Sequence, residues 1–174
     1  MKPLEDKFLF RKDYGMLKKL ILACAVAMSV LTLSADVDFG VWKNYPSEIS
    51  RSSVEGVRFG LPITSSSGTV EGAELALLMA GSAEVEGLQF TLFGINFAKK
   101  IEGLQLAFIN FASQQLEGLQ LGFFNHANSD EGFQWGFINY CEDDATFQLG
   151  FLNFNKNGLL PVMIFLNFGS DVFD

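Results

Sequence analysis

The residues of this chain that could do chemistry are few, and their spacing suits none of the common reactions. His126 is the only histidine. It falls in a slot that holds Phe97, Phe111, Tyr140 and Phe154 in neighbouring stretches, so it reads as a packing ring, not a base or ligand. Glu142-Asp143-Asp144 gathers three acids in one turn. Such a run can hold Ca²⁺ if backbone carbonyls converge on it, and otherwise it is a solvated turn. Cys24 lies in a segment expected to be cut off, which leaves Cys141 as a lone thiol where Ala98, Ala112 and Ala127 stand in their own stretches; a small semi-buried residue is expected there. No Ser-His-Asp set, phosphate-cradling glycine loop or zinc spacing is written anywhere. No catalytic, cofactor-binding or metal-ligating residue is therefore assigned, no cofactor is implied, and a non-enzymatic protein is expected.

What would position these residues is a repeated phrase. Five copies read Glu86-Gly87-Leu88-Gln89-Phe90, Glu102-Gly103-Leu104-Gln105-Leu106, Glu117-Gly118-Leu119-Gln120-Leu121, Glu131-Gly132-Phe133-Gln134-Trp135 and the decayed Ala145-Thr146-Phe147-Gln148-Leu149. Each leads through large apolar residues to an asparagine, and Asn96, Asn110, Asn125, Asn139, Asn153 and Asn167 follow at intervals of 14, 15, 14, 14 and 14 residues. Weaker copies begin at Val54 and Val70, and a last one, carrying Pro161 and losing the glutamine, ends at Phe168. Internal periodicity of this kind fixes the fold class before any other signal.

Within a copy, Leu104, Leu106 and Phe108 alternate with Gly103, Gln105, Ala107, Ile109 and Phe111, a period of two that belongs to strands. One copy buries too little apolar surface to offset the ordering of its own backbone, so copies must share edges and core. The chain is therefore all-β, a repeat array of about eight units of 14 to 16 residues. In a β-solenoid each unit is one coil, Leu stacks on Leu with the leucine and phenylalanine columns turned inward, and Asn side chains bond along a ladder. The alternative is an antiparallel meander closing into a small eight-stranded barrel. The solenoid is favoured because a meander places alternate turns at opposite ends, and no two-unit pattern is visible. Pro161 suits an edge strand or end coil.

Two further patterns concern the surface. The column Glu55, Glu71, Glu86, Glu102, Glu117 and Glu131 would stack like charges in a solenoid, which invites modest stabilisation by divalent ions. The second face carries one large apolar residue per unit, Ile109, Phe124, Ile138 and Leu152. Exposed, that stripe predicts contact with a membrane or an envelope protein.

Residues 16–35 carry Lys18-Lys19, an uncharged apolar run from Leu20 to Leu33, and Ser34-Ala35 before Asp36, the pattern of a signal peptide; the run is short for a membrane-spanning helix. Residues 1–15 read as an extension upstream of a start at Met16. Residues 36–53 supply a first strand and a connection, 54–169 the repeat domain, and 170–174 an acidic tail. The formal charge of the whole chain is −8, and from Asp36 onward six basic residues face 17 acidic ones. That balance excludes nucleic acid as a partner; oligomeric state is left open.

These repeats resemble those of bacterial surface-repeat proteins named after leptospiral examples, built from Gly-Leu-Gln-(Leu/Ile)-Gly-Leu-(Ile/Phe)-Asn units. The match spans about Val54 to Phe168 and is most specific in Gly118-Leu119-Gln120-Leu121-Gly122-Phe123-Phe124-Asn125 and in Phe147-Gln148-Leu149-Gly150-Phe151-Leu152-Asn153. The resemblance implies the envelope or surface of a diderm bacterium and no known catalysis. The expected function is thus that of an exported, non-enzymatic repeat protein of a bacterial cell envelope, outer membrane or cell surface, with a structural, display or adhesion role. The alternative is a small outer-membrane barrel that anchors or permeates.

Overall fold

The computed structural model describes residues 36–42 and 53–170. The expected extension, signal peptide, most of the connection and residues 171–174 of the tail lie outside them. The strands are β1 (Asp36–Gly40), β2 (Val54–Gly60), β3 (Ile63–Ser65), β4 (Thr69–Ala76), β5 (Met79–Thr91), β6 (Ile95–Leu106), β7 (Ile109–Cys141), β8 (Ala145–Asn155) and β9 (Val162–Phe168).

Every ladder from β1 through β8 is parallel, and its register sets like on like: Glu86 on Glu102, Gly87 on Gly103, Leu88 on Leu104, Gln89 on Gln105. The chain is a β-solenoid of about seven turns. The meander closing into an eight-stranded barrel is thereby overturned, since a meander requires antiparallel neighbours. The eighth copy behaves differently from the rest: β9 folds back antiparallel on β8, pairing Gln148 with Asn167 and Leu149 with Leu166.

The expectation that leucine and phenylalanine columns face inward is reversed. Gln89, Gln105, Gln120, Gln134 and Gln148 are fully buried, as are Asn96, Asn110, Asn125, Asn139 and Asn153, while Leu104, Leu106 and Phe108 point outward. Two physical reasons combine. A coil of 14 to 15 residues leaves room between its strands for one thin layer of side chains. In that layer, identical amides stacked on successive coils satisfy one another's hydrogen bonds.

Both ladders also brace the coil. Each glutamine Nε2 donates to the Oε1 of the glutamine one coil earlier, at 2.6 to 2.8 Å from Gln105 to Gln148. Its other proton reaches a carbonyl of the facing strand, as Gln120 does to His126 at 3.1 Å. The asparagines donate in the opposite sense, Asn110 Nδ2 to Asn125 Oδ1 at 2.9 Å and Asn125 to Asn139 at 2.8 Å. The two rows of amide dipoles therefore oppose each other. At one wall a narrow apolar strip completes the interior, with Val70, Val85, Ile101 and Leu116 against Ala98, Ala112 and Ala127.

From Gly72 to Gly118 the glycine after the column glutamate is dictated by approach as well as by dihedral. Gly103 and Gly118 have φ of 135°, and a Cβ on Gly118 would fall into the carbonyl of Gly103 one coil below.

Candidate functional site

Inside the coils, the groups with the most reactive chemistry have no route to a substrate. Arg58 and Glu74 occupy the slots that glutamine fills later, in register with each other and with Gln89. Glu74 accepts from Thr64 at 3.2 Å, Ser82 at 2.9 Å and Gln89 at 2.7 Å. Burial raises its pKa, against the opposing pull of those donors and of the Arg58 charge. Arg58 in turn contacts Ser82 at 3.3 Å and Asp38 of β1 at 3.7 Å. By accepting from Gln89 at this end, Glu74 begins the ladder in the direction that each later glutamine keeps. Both Arg58 and Glu74 are 0% exposed, so the cluster seals the first coils instead of binding a ligand. Residue types alone do not show that this slot faces inward. The signal they do carry is that two opposite charges fill adjacent copies of one slot.

His126 sits where expected, in a ring column, 5.4 Å from Phe111 and 5.3 Å from Tyr140. Its Nε2 lies 3.7 Å from Glu142. Cys141 is fully buried above the alanine column, and burial pushes its thiol up to about 12, so it is inert as a nucleophile. In the acidic turn Asp143 accepts from Asn157 at 2.7 Å, and Asp144 accepts from Asn155 at 3.2 Å and from the Ser170 hydroxyl at 2.9 Å. Those carboxylates tie the last coil to the capping segment. Among the described residues no group of three His, Cys, Asp or Glu converges to hold a metal ion. The glutamate column forms as read, Glu71 on Glu86 on Glu102 on Glu117, all exposed. The pKa of Glu86 is raised, by desolvation first and then by the charges of Glu71, Glu102 and Glu84.

The candidate site is consequently the outer surface, and one corner builds it. Strand alternation holds from Leu104 to Phe108 and then breaks: Phe108 and Ile109 both point out, and Asn110 points in. Ile109, Phe124, Ile138 and Leu152 are therefore not opposite the leucine face. They form a second outer face, partly exposed and less so than the ridge, that meets the first at the corner.

Along the corner runs a ridge of rings. Phe108, Phe123, Phe137 and Phe151 stack with centroids 5.0 Å apart at each step, and each stays about half exposed, from 46% to 58%. Beside the ridge Leu121, Trp135 and Leu149 make a parallel row, Trp135 at 56% exposure. Gly122, Gly136 and Gly150 floor an open groove of about 720 Å³ between them. These glycines are also required from within, because a Cβ on Gly136 would run into the asparagine ladder at Asn125.

The third side is polar: the glutamate column, Lys99, Lys100, Ser113, Gln114, Asn128, Glu142 and Asp143 are all exposed there. From Ile95 to Phe154 each coil thus has two apolar sides and one polar side. Among the described residues no helix is long and apolar enough to cross a membrane. No protein-family model, curated protein or solved structure matches the chain.

Proposed function

We propose that this protein is a non-enzymatic repeat protein of a bacterial cell envelope, exported by its leader and acting as a surface scaffold for display or adhesion. The observation that carries the reading is the division of labour within each coil. Interior positions are spent on amide ladders that hold the stack, and outward positions repeat one apolar pattern over coil after coil. Such an arrangement offers a long uniform surface, indented by the open apolar groove over Gly122, Gly136 and Gly150, which is lined by no titratable side chain. The resemblance of the repeats to bacterial surface-repeat proteins and the apolar run after Lys18-Lys19 support the same location. The alternative role as a pore has lost its geometric basis, because the interior is filled by buried side chains and the ladders are parallel.

Protease treatment of intact cells, followed by fractionation, tests the reading. The chain should appear in the envelope fraction and be cut without lysis. Recovery as an uncut species in the cytosolic fraction would refute it.

A further inference from the structure

We propose that the phenylalanine ridge and the two faces it joins seat in the hydrocarbon of a lipid bilayer, with the solenoid axis lying along the membrane plane and the glutamate edge in water. This deepens the envelope reading, and rests on it for the supply of a bilayer.

Four observations favour hydrocarbon over a protein occupant. First, among the described side chains between Val57 and Phe151, none that points outward from the first face carries a polar atom, other than the Trp135 indole N–H. From Ile95 to Phe154 on the second face, only His126 and Tyr140 do. Exposed apolar area on this scale marks a partner surface in a soluble protein.

Second, the apolar area turns a corner. Seven coils extend about 34 Å along the axis, and five residues of strand about 17 Å across it. A second copy or any flat partner laid on one face leaves the other in water. A fluid hydrocarbon phase covers both at once.

Third, stacked coils pair their backbone groups with the coils on either side, so the apolar faces carry no row of unpaired N–H and C=O groups into lipid. Fourth, charge is sorted to the side opposite the ridge, where Glu86, Glu102 and Glu117 stay hydrated. The amphipathic logic is that of an interfacial helix, transferred to a solenoid. Because the charged side is acidic, anionic headgroups give no attraction, and binding to neutral lipid is expected to be insensitive to salt.

The test uses the full chain carrying Trp42→Phe, which leaves Trp135 as the only indole, mixed with phosphatidylcholine vesicles whose acyl chains are brominated. Burial of this face predicts several-fold quenching of Trp135, and because the probe sits beside the ridge, insertion of the leader alone cannot produce it. Adding Phe123→Asp and Phe137→Asp should abolish the quenching, and should weaken the ridge's share of partitioning by at least about 10-fold. Both side chains point outward, so the far-UV dichroism of the folded protein should be retained, while melting falls modestly with the lost ring stacking and the two stacked carboxylates. Glu102→Gln, on the polar side, should leave quenching as it was.

If the double aspartate variant fails to fold, the Trp42→Phe protein alone decides. Unquenched Trp135 in vesicle-bound protein overturns the proposal. So does a Trp135 shielded without lipid in a dimer or larger species, which would give the face to a second copy, and so does quenching that survives both aspartates. Either of the first two results, in a protein still cut on intact cells, removes the lipid contact and leaves the display reading standing.

Discussion

Asp130 breaks a buried column that otherwise reads Val54, Val70, Val85, Ile101, Leu116 and Ala145. It is 2% exposed, and its carboxylate accepts the Gly132 N–H at 2.8 Å. Burial raises its pKa to about 7, only partly opposed by that bond. The sign follows directly. An acid whose folded pKa lies above its unfolded value favours folding fully below about pH 4 and loses that contribution as pH rises to about 7. Asp130→Asn keeps an acceptor for Gly132 and removes the titration. At pH 8 the variant is expected to be the more stable protein, by up to about 4 kcal/mol, and near pH 4 the two should converge. Urea unfolding at the two pH values measures this; a variant no more stable at pH 8 would contradict it. The position was legible as an Asp before Glu131, but not as a buried one. A column assignment needs the register, and the turn-like Asn128-Ser129-Asp130 hides it.

At the scale of elements, β9 differs from all the strands before it. A parallel stack ends in an edge of unpaired N–H and C=O groups, which invites another chain. Here Pro161 introduces the segment and β9 pairs antiparallel on β8. The Asn155 amide binds the Phe168 carbonyl at 3.3 Å, and Leu159 N–H donates to the same carbonyl at 3.0 Å. The segment therefore caps the stack. Deleting residues 159–170 is expected to expose the β8 edge and shift the protein to end-to-end oligomers, visible as concentration-dependent growth in light scattering. A variant that stays monomeric would mean that β8 is protected by something else. From sequence, Pro161 and the lost glutamine marked an end; the reversal of direction was not legible, because strand sense depends on the path between Asn155 and Val162.

For the solenoid as a whole, stability should be carried by contacts between neighbouring coils, so adding a coil adds an interface. Duplicating residues 116–129, one full period from Leu116 to the residue before Asp130, extends both amide ladders in register. The duplicated protein is expected to melt several degrees higher than the parent, as read by far-UV dichroism. A lower melting temperature would show that coils do not add independently. The same extension lengthens the ridge, so apolar area and fold stability grow together in this architecture.

The sequence alone determined the period and the strand character, and it favoured the stacking of like on like and the asparagine ladder that the parallel register then established. These are local or translational properties, written fourteen or fifteen residues apart and repeated until chance is excluded. Which side of each strand is the inside was decided only by tertiary structure. Alternating Leu and Gln reads, by the ordinary rule, as leucine within and glutamine without. The parallel register inverts that rule, because a buried glutamine surrounded by copies of itself keeps its hydrogen bonds, while the corner at Phe108 and Ile109 turns both apolar rows outward.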